Sequence, residues 1–316
     1  MTDLSFNGLL SQAYQLYQAG QYLQALDLVA QEAGRFPDQA QQAYLWRICL
    51  ASRTGKLSLA TQLLREAVEA GYWYTSTQLH GDEDLKPLQG QPAFERLVAI
   101  CRERQAAAQA RALPCLTTLL PEGQPPANYK YPLLIALHAD NANLKNTLSF
   151  WKPAVSKGWL LALPQSSQVG GLEAFVWDDH DQAAREIAGH FAALCEQYPL
   201  NRERIVVSGF SMGGRLAAWL ALKRVVPARG FVAVGPYLSE VGDWVPLVKV
   251  NQRRGLRGYV VVGEKDVACF EGAQTLARLL KAEGNPCELE IHSDLGHDFP
   301  PDFERSLDSA LRFIIG

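Results

Sequence analysis

The sequence predicts an α/β architecture: a doubly wound, mostly parallel sheet preceded by an all-α region of helical repeats. Three observations predict it. Residues up to about Arg111 carry apolar side chains at helical spacing. From about Leu113 the pattern changes to short apolar runs alternating with helical stretches. Most of those runs lack polar alternation, as expected of parallel strands buried on both faces.

The helical part is read first. Leu9, Ala13, Leu16 and Tyr17 recur at helical spacing until Gly20 breaks the run. Ala25, Leu26, Leu28 and Val29 form the apolar face of a second helix that ends before Pro37. Gly20, Tyr22, Ala25, Leu28 and Val29 then return as Gly55, Leu57, Ala60, Leu63 and Leu64, an offset of about 35 residues. A two-helix repeat of this length marks a helical solenoid. An unrelated bundle using the same positions as core is the alternative.

On Ala13, Gly20, Tyr22, Ala25 and Pro37 this part resembles the tetratricopeptide family. The second copy keeps Gly55, Ala60 and Ala67 but has Tyr72 where the proline would fall. The stretch from Asp84 to Leu97 is similar to the closing segment that follows such repeats. The resemblance implies a surface for a protein or peptide partner, or for self-association.

The second part predicts strands at Tyr131–His138, Trp159–Leu163, Arg204–Ser208, Gly230–Val234, Gly258–Val262 and Cys287–His292. Helices are predicted at Asp181–Tyr198, Met212–Lys223, Phe270–Lys281 and Phe303–Ile315. The domain boundary falls in the Ala-rich segment Cys101–Leu113, which divides the chain into residues 1–110 and 111–316.

The stretch that carries chemistry runs from Ile205 to Gly214. It reads as a strand, then Gly209-Phe210-Ser211-Met212-Gly213, then an apolar helix. A serine on so sharp a strand-to-helix turn raises its hydroxyl above the sheet. Side chains at Gly209 and Gly213 would collide with the neighbouring strand and helix. A serine hydroxyl needs a base, and the base needs an orienting acid. Asp266 follows the strand Tyr259–Val262, and His297 follows the last strand, both later in the chain than Ser211. Ser211, Asp266 and His297 are therefore the expected nucleophile, acid and base. Glu264 is the alternative acid and His292 the alternative base. Asp294 and Asp298 read as capping residues, and His180 and His190 as solvated helix residues.

An oxyanion hole needs two backbone N–H groups. Met212 supplies one by position. The other is expected from Asp140, in the loop after the strand that ends at His138. That loop reads His138-Ala139-Asp140, with His138 as its anchor. Leu120–Gly123, Tyr131–His138 and Gly209–Gly214 together resemble the phospholipase/carboxylesterase group of α/β-hydrolases. The resemblance covers the chain from about Leu113 to its end. It implies hydrolysis of a small acyl ester or thioester through an acyl-enzyme, with no cofactor and no metal. Ala139 departs from the glycine usual in those families. Prolyl-oligopeptidase-type peptidases share the elbow and are the alternative activity. A repeat-based binding module with an inactive hydrolase domain is the alternative of a different class. The stretch Pro236–Leu256, with Tyr237, Trp244 and Val245, is too short for a lid domain but long enough to line a pocket. The helical part is thus expected either to lean over the site or to bind a partner.

The bulk composition sets limits. Of 316 residues 48% are hydrophobic and 20% charged, and the net charge is −3. That balance argues against nucleic acid and anionic membrane as partners. The N-terminus lacks a basic, apolar export signal, and no run of about 18 apolar residues predicts a membrane span. Cys49, Cys101, Cys115, Cys195, Cys269 and Cys287 lie far apart, without zinc spacing. Free thiols and a cytoplasmic location are the expectation.

Overall fold

A computed structural model describes residues 5–123, 126–252 and 254–316. The first four residues, part of the segment read for an export signal, lie outside it. The chain divides into two compact units, residues 1–112 with 168–175, and residues 113–167 with 176–316.

The first unit begins with α1 (Phe6–Gln18), capped by the Ser5 hydroxyl, which accepts from the Gly8 amide. α2 (Tyr22–Glu32), α3 (Ala40–Arg53) and α4 (Leu57–Glu69) follow. The turns after α1 and α3 place Gly20 at φ 73° and Gly55 at φ 75°, a left-handed conformation that favours glycine. Ala25 and Ala60 are fully buried at equivalent positions of α2 and α4. A larger residue there would overpack the helix contact. α5 (Ser76–Gly81) starts with a reciprocal capping box between Thr75 and Gln78. A short 3-10 turn over Glu83–Leu88 leads to α6 (Pro92–Gln109), with proline at its first position.

The second unit opens with β1 (Cys115–Leu119), β2 (Tyr131–Leu137), α7 (Leu144–Trp151), α8 (Pro153–Ser156) and β3 (Leu160–Gln165). The chain then contributes the hairpin β4 (Val169–Gly171) and β5 (Ala174–Phe175) to the first unit. There the Val169 side chain is buried in the helical core, and the Leu172 amide donates to Oε1 of Gln41. The second unit resumes with α9 (His180–Gln197), β6 (Leu200–Phe210), α10 (Met212–Lys223), β7 (Gly230–Val234) and α11 (Val245–Lys249). It ends with β8 (Arg257–Gly263), α12 (Phe270–Ala282), β9 (Cys287–His292) and α13 (Phe303–Ile315).

Seven strands form one sheet in the order β1-β3-β2-β6-β7-β8-β9. Among the described residues of this sheet, only β1 runs antiparallel, against β3. Leu133, Ile135 and Leu137 of β2 face α9, α10 and α12, while Leu134 and Ala136 face α7 and α13. Helices therefore cover both faces, and the central strands β2, β7 and β8 are buried almost throughout, while the edge strand β9 is largely half-exposed. β2 pairs with β3 on one side and with β6 on the other. The strand order reverses there, which opens a crevice at the carboxyl ends of β2 and β6.

Candidate active site

Ser211 sits at that crevice, between the end of β6 and the start of α10. Its backbone is at φ 56°, ψ −122°, a sparsely populated conformation for a non-glycine residue. The elbow is held by the Ser211 amide, which donates to the Val234 carbonyl at 2.9 Å. It is also held by glycine contacts that leave no room for a side chain. A Cβ on Gly209 would lie 2.4 Å from the Gly213 carbonyl carbon, and one on Gly213 would lie 2.3 Å from the His138 carbonyl oxygen.

The loops after β8 and β9 bring the other two predicted residues to Ser211. The Oγ of Ser211 is 3.0 Å from Nε2 of His297, and Nδ1 of His297 is 2.7 Å from Oδ2 of Asp266. A carboxylate only accepts, so Nδ1 carries the proton and Nε2 is left to accept from the serine hydroxyl. Asp266 is 2% exposed, and its other oxygen accepts from the Cys269 amide at 3.2 Å. The His297 side chain keeps 33% of its surface exposed.

The alternatives lie elsewhere. Glu264 is exposed. Nε2 of His292 pairs with Glu290 at 2.7 Å. Asp294 binds Lys265, and Asp298 accepts from the amide of Phe299. His180 and His190 are half-buried rather than solvated, because α9 packs on the sheet and His180 lies against the Trp219 ring.

Met212 is the first residue of α10, so its N–H has no carbonyl one turn back to bond. The loop carrying Asp140 starts from His138, which is fully buried. Burial pushes the His138 imidazole down to about 4, so the ring is neutral. Its Nδ1 donates to the Ala139 carbonyl, and its Nε2 accepts from the Ser166 amide. Trp177 stacks on the ring and donates to the His138 carbonyl at 2.9 Å. The left-handed residue of this loop is Asn141, at φ 51°. The Asp140 carboxyl is pushed up to about 6, mainly by burial and further by the nearby Asp178.

Two neighbours of these three side chains carry no sequence motif. Gly235, at φ 49° after β7, lies where a Cβ would be 3.3 Å from both Oδ2 of Asp266 and Nδ1 of His297. Cys269 is buried beside the same pair. Asp266, Cys269 and His297 offer three metal-ligand types within 4.8 Å. The ring and carboxylate are already bonded to each other, and burial holds the thiol far above its ordinary range. A metal there would have to displace both protons. Among the described residues, no helix is long and apolar enough to cross a membrane.

Residues 5–109 match the family model of an A/B hydrolase-like N-terminal domain. A Bacillus cereus ATCC 10987 protein, described as uncharacterized, is 30% identical, with each chain covered to 98% and a TM-score of 0.57. Esterase PE8 is 17% identical over 63% of this chain and 97% of its own, at a TM-score of 0.52. Porphyromonas gingivalis dipeptidyl peptidase 4 is 14% identical over 63% of this chain and 33% of its own, at 0.51. Comparison with curated proteins gives no match. The chain belongs to the family of the Bacillus cereus protein, and its fold is that of the α/β-hydrolases.

Proposed function

We propose that the chain is a serine hydrolase of small carboxylic esters, with Ser211 as nucleophile, His297 as base and Asp266 as orienting acid. The observation that carries this reading is the unbroken hydrogen-bond chain from Ser211 through His297 to Asp266, on an elbow that raises the hydroxyl over the crevice. A backbone held at a strained angle supports a chemical role, because a structural serine would relax.

In the proposed reaction Oγ of Ser211 attacks the acyl carbon while Nε2 of His297 takes its proton. The carbonyl π electrons move to oxygen, and the N–H groups of Met212 and Asp140 receive the oxyanion. Collapse expels the alcohol, which takes the proton from His297 and leaves an acyl-Ser211. Water then gives a proton to His297 and attacks the acyl carbon. Ser211 leaves with that proton, and the carboxylic acid is released. Thioesters fit the same steps.

A fluorophosphonate probe tests the reading. Labelling at Ser211, lost in Ser211→Ala and accompanied by loss of short-chain ester hydrolysis, supports it. Labelling at another serine, or full turnover in the variant, overturns it.

A further inference from the structure

The helical unit contains a cavity of about 350 Å³ that the hydrolase chemistry does not use. Its walls come from three segments. α1 presents Tyr14 and Tyr17 one turn apart, with parallel rings 6.3 Å between centroids. α3 presents Trp46, which stands at 85° to Tyr14, 6.5 Å away. The two rings form a right-angled corner. The turn after α5 supplies Asp82 and Asp84 to the same cavity.

The two carboxylates are not equivalent. Asp84 accepts from the Tyr17 hydroxyl at 2.9 Å and has Arg53 at 3.4 Å, so its charge is balanced. Arg53 is also held over the Tyr22 ring, 5.3 Å from its centroid. Asp82 accepts from the Asp84 amide and from the Cys49 thiol, both neutral donors. Among the described residues it has no cationic partner. The cavity therefore combines a half-buried carboxylate without a cationic partner among the described residues with three aromatic side chains, Tyr14 and Trp46 meeting edge to face.

Aromatic faces attract cations that shed water easily, and a methylated ammonium sheds it more easily than a metal ion. A divalent metal would need more oxygen ligands than two carboxylates offer. The geometry points to a binding site, in the helical unit, for a small organic cation with an alkylated ammonium centre. Its charge meets Asp82, and its methyl groups pack on Tyr14, Tyr17 and Trp46. This site is independent of the Ser211 chemistry.

The test is calorimetric titration of the full chain with choline chloride, against sodium chloride at equal ionic strength. Dimethylbutanol, the uncharged carbon isostere, is the second ligand. Choline is expected to bind, with the isostere weaker by about tenfold or more. Trp46→Leu removes an aromatic wall. Asp82→Asn removes the charge while keeping an oxygen for the Asp84 amide. Each is expected to weaken choline binding by about tenfold while circular dichroism stays native. No binding of choline below about 10 mM, equal binding of the isostere, or unchanged affinity in either folded variant overturns the site. If both variants fail to fold, the comparison of choline with its isostere on the unaltered chain decides alone.

Discussion

The sulfur of Cys269 stands 3.5 Å from Nδ1 of His297, the same nitrogen that bonds Asp266. Burial, reinforced by the Asp266 carboxylate, holds the thiol far above its ordinary range. A thiol that cannot ionise neither alkylates nor competes with Ser211 as nucleophile. Iodoacetamide at neutral pH is therefore expected to leave ester turnover intact and Cys269 unmodified by mass spectrometry. Rapid inactivation with label on Cys269 would show an accessible thiolate instead.

The proposed triad predicts a ranking of substitutions. Ser211→Ala and His297→Ala are expected to lower kcat by about 10⁴-fold or more, and the double variant by little beyond either, because the two act as one unit. Asp266→Asn removes the orienting charge and is expected to be severe but milder. Glu264→Gln, at an exposed side chain, is expected to be near wild type. Steady-state kinetics on a short-chain ester give the order. A Glu264→Gln loss larger than that of Asp266→Asn would reassign the acid.

The candidate site was legible because strand, turn and helix each leave a distinct pattern around Ser211, and because Asp266 and His297 lie in the loops after β8 and β9. Gly235 was not legible. A single glycine after a strand says nothing until its neighbours are known. β1 escaped detection because this edge strand is only five residues long and half exposed, so it shows no buried run. The hairpin β4–β5 escaped because strands of three and two residues have no measurable period. Its membership of the helical unit depends on Val169 entering that core and on amide contacts from Gln41 and Gln109. Gly20 and Gly55, which the repeat offset pairs, both stand in left-handed turns. The family model of that region is the hydrolase-type N-terminal domain.

Gly235→Ala separates strain from obstruction. The new Cβ would meet Nδ1 of His297 and Oδ2 of Asp266 at 3.3 Å, tighter than ordinary contact, on a residue already at φ 49°. Gly20→Ala provides the control, with φ 73° and nothing within 4 Å of its Cβ. Both are expected to lose about 1–2 kcal/mol of stability from the left-handed backbone. Only Gly235→Ala is expected to lower kcat, by about tenfold or more, through displacement of the Asp266–His297 bond. Equal kcat in the two variants would show that the pair tolerates the methyl group.

Asp140 links the loop beside the proposed oxyanion hole to pH. Its carboxyl keeps its proton up to about pH 6 in the folded chain, because burial and then Asp178 oppose its ionisation. A carboxyl with a raised folded value favours folding fully below its ordinary range near 4. That contribution is lost as pH rises through about 6. The loss is about 2–3 kcal/mol at neutral pH. Asp140→Asn keeps the backbone N–H and an oxygen able to accept from Nδ2 of Asn141, the bond seen at 2.8 Å. It removes the ionisation alone. The variant is therefore expected to melt several degrees above wild type near pH 8, with the difference shrinking toward zero near pH 4. Thermal melts of both proteins across that range measure it. A difference in Tm that does not change with pH would show that Asp140 is ionised in the folded chain without penalty.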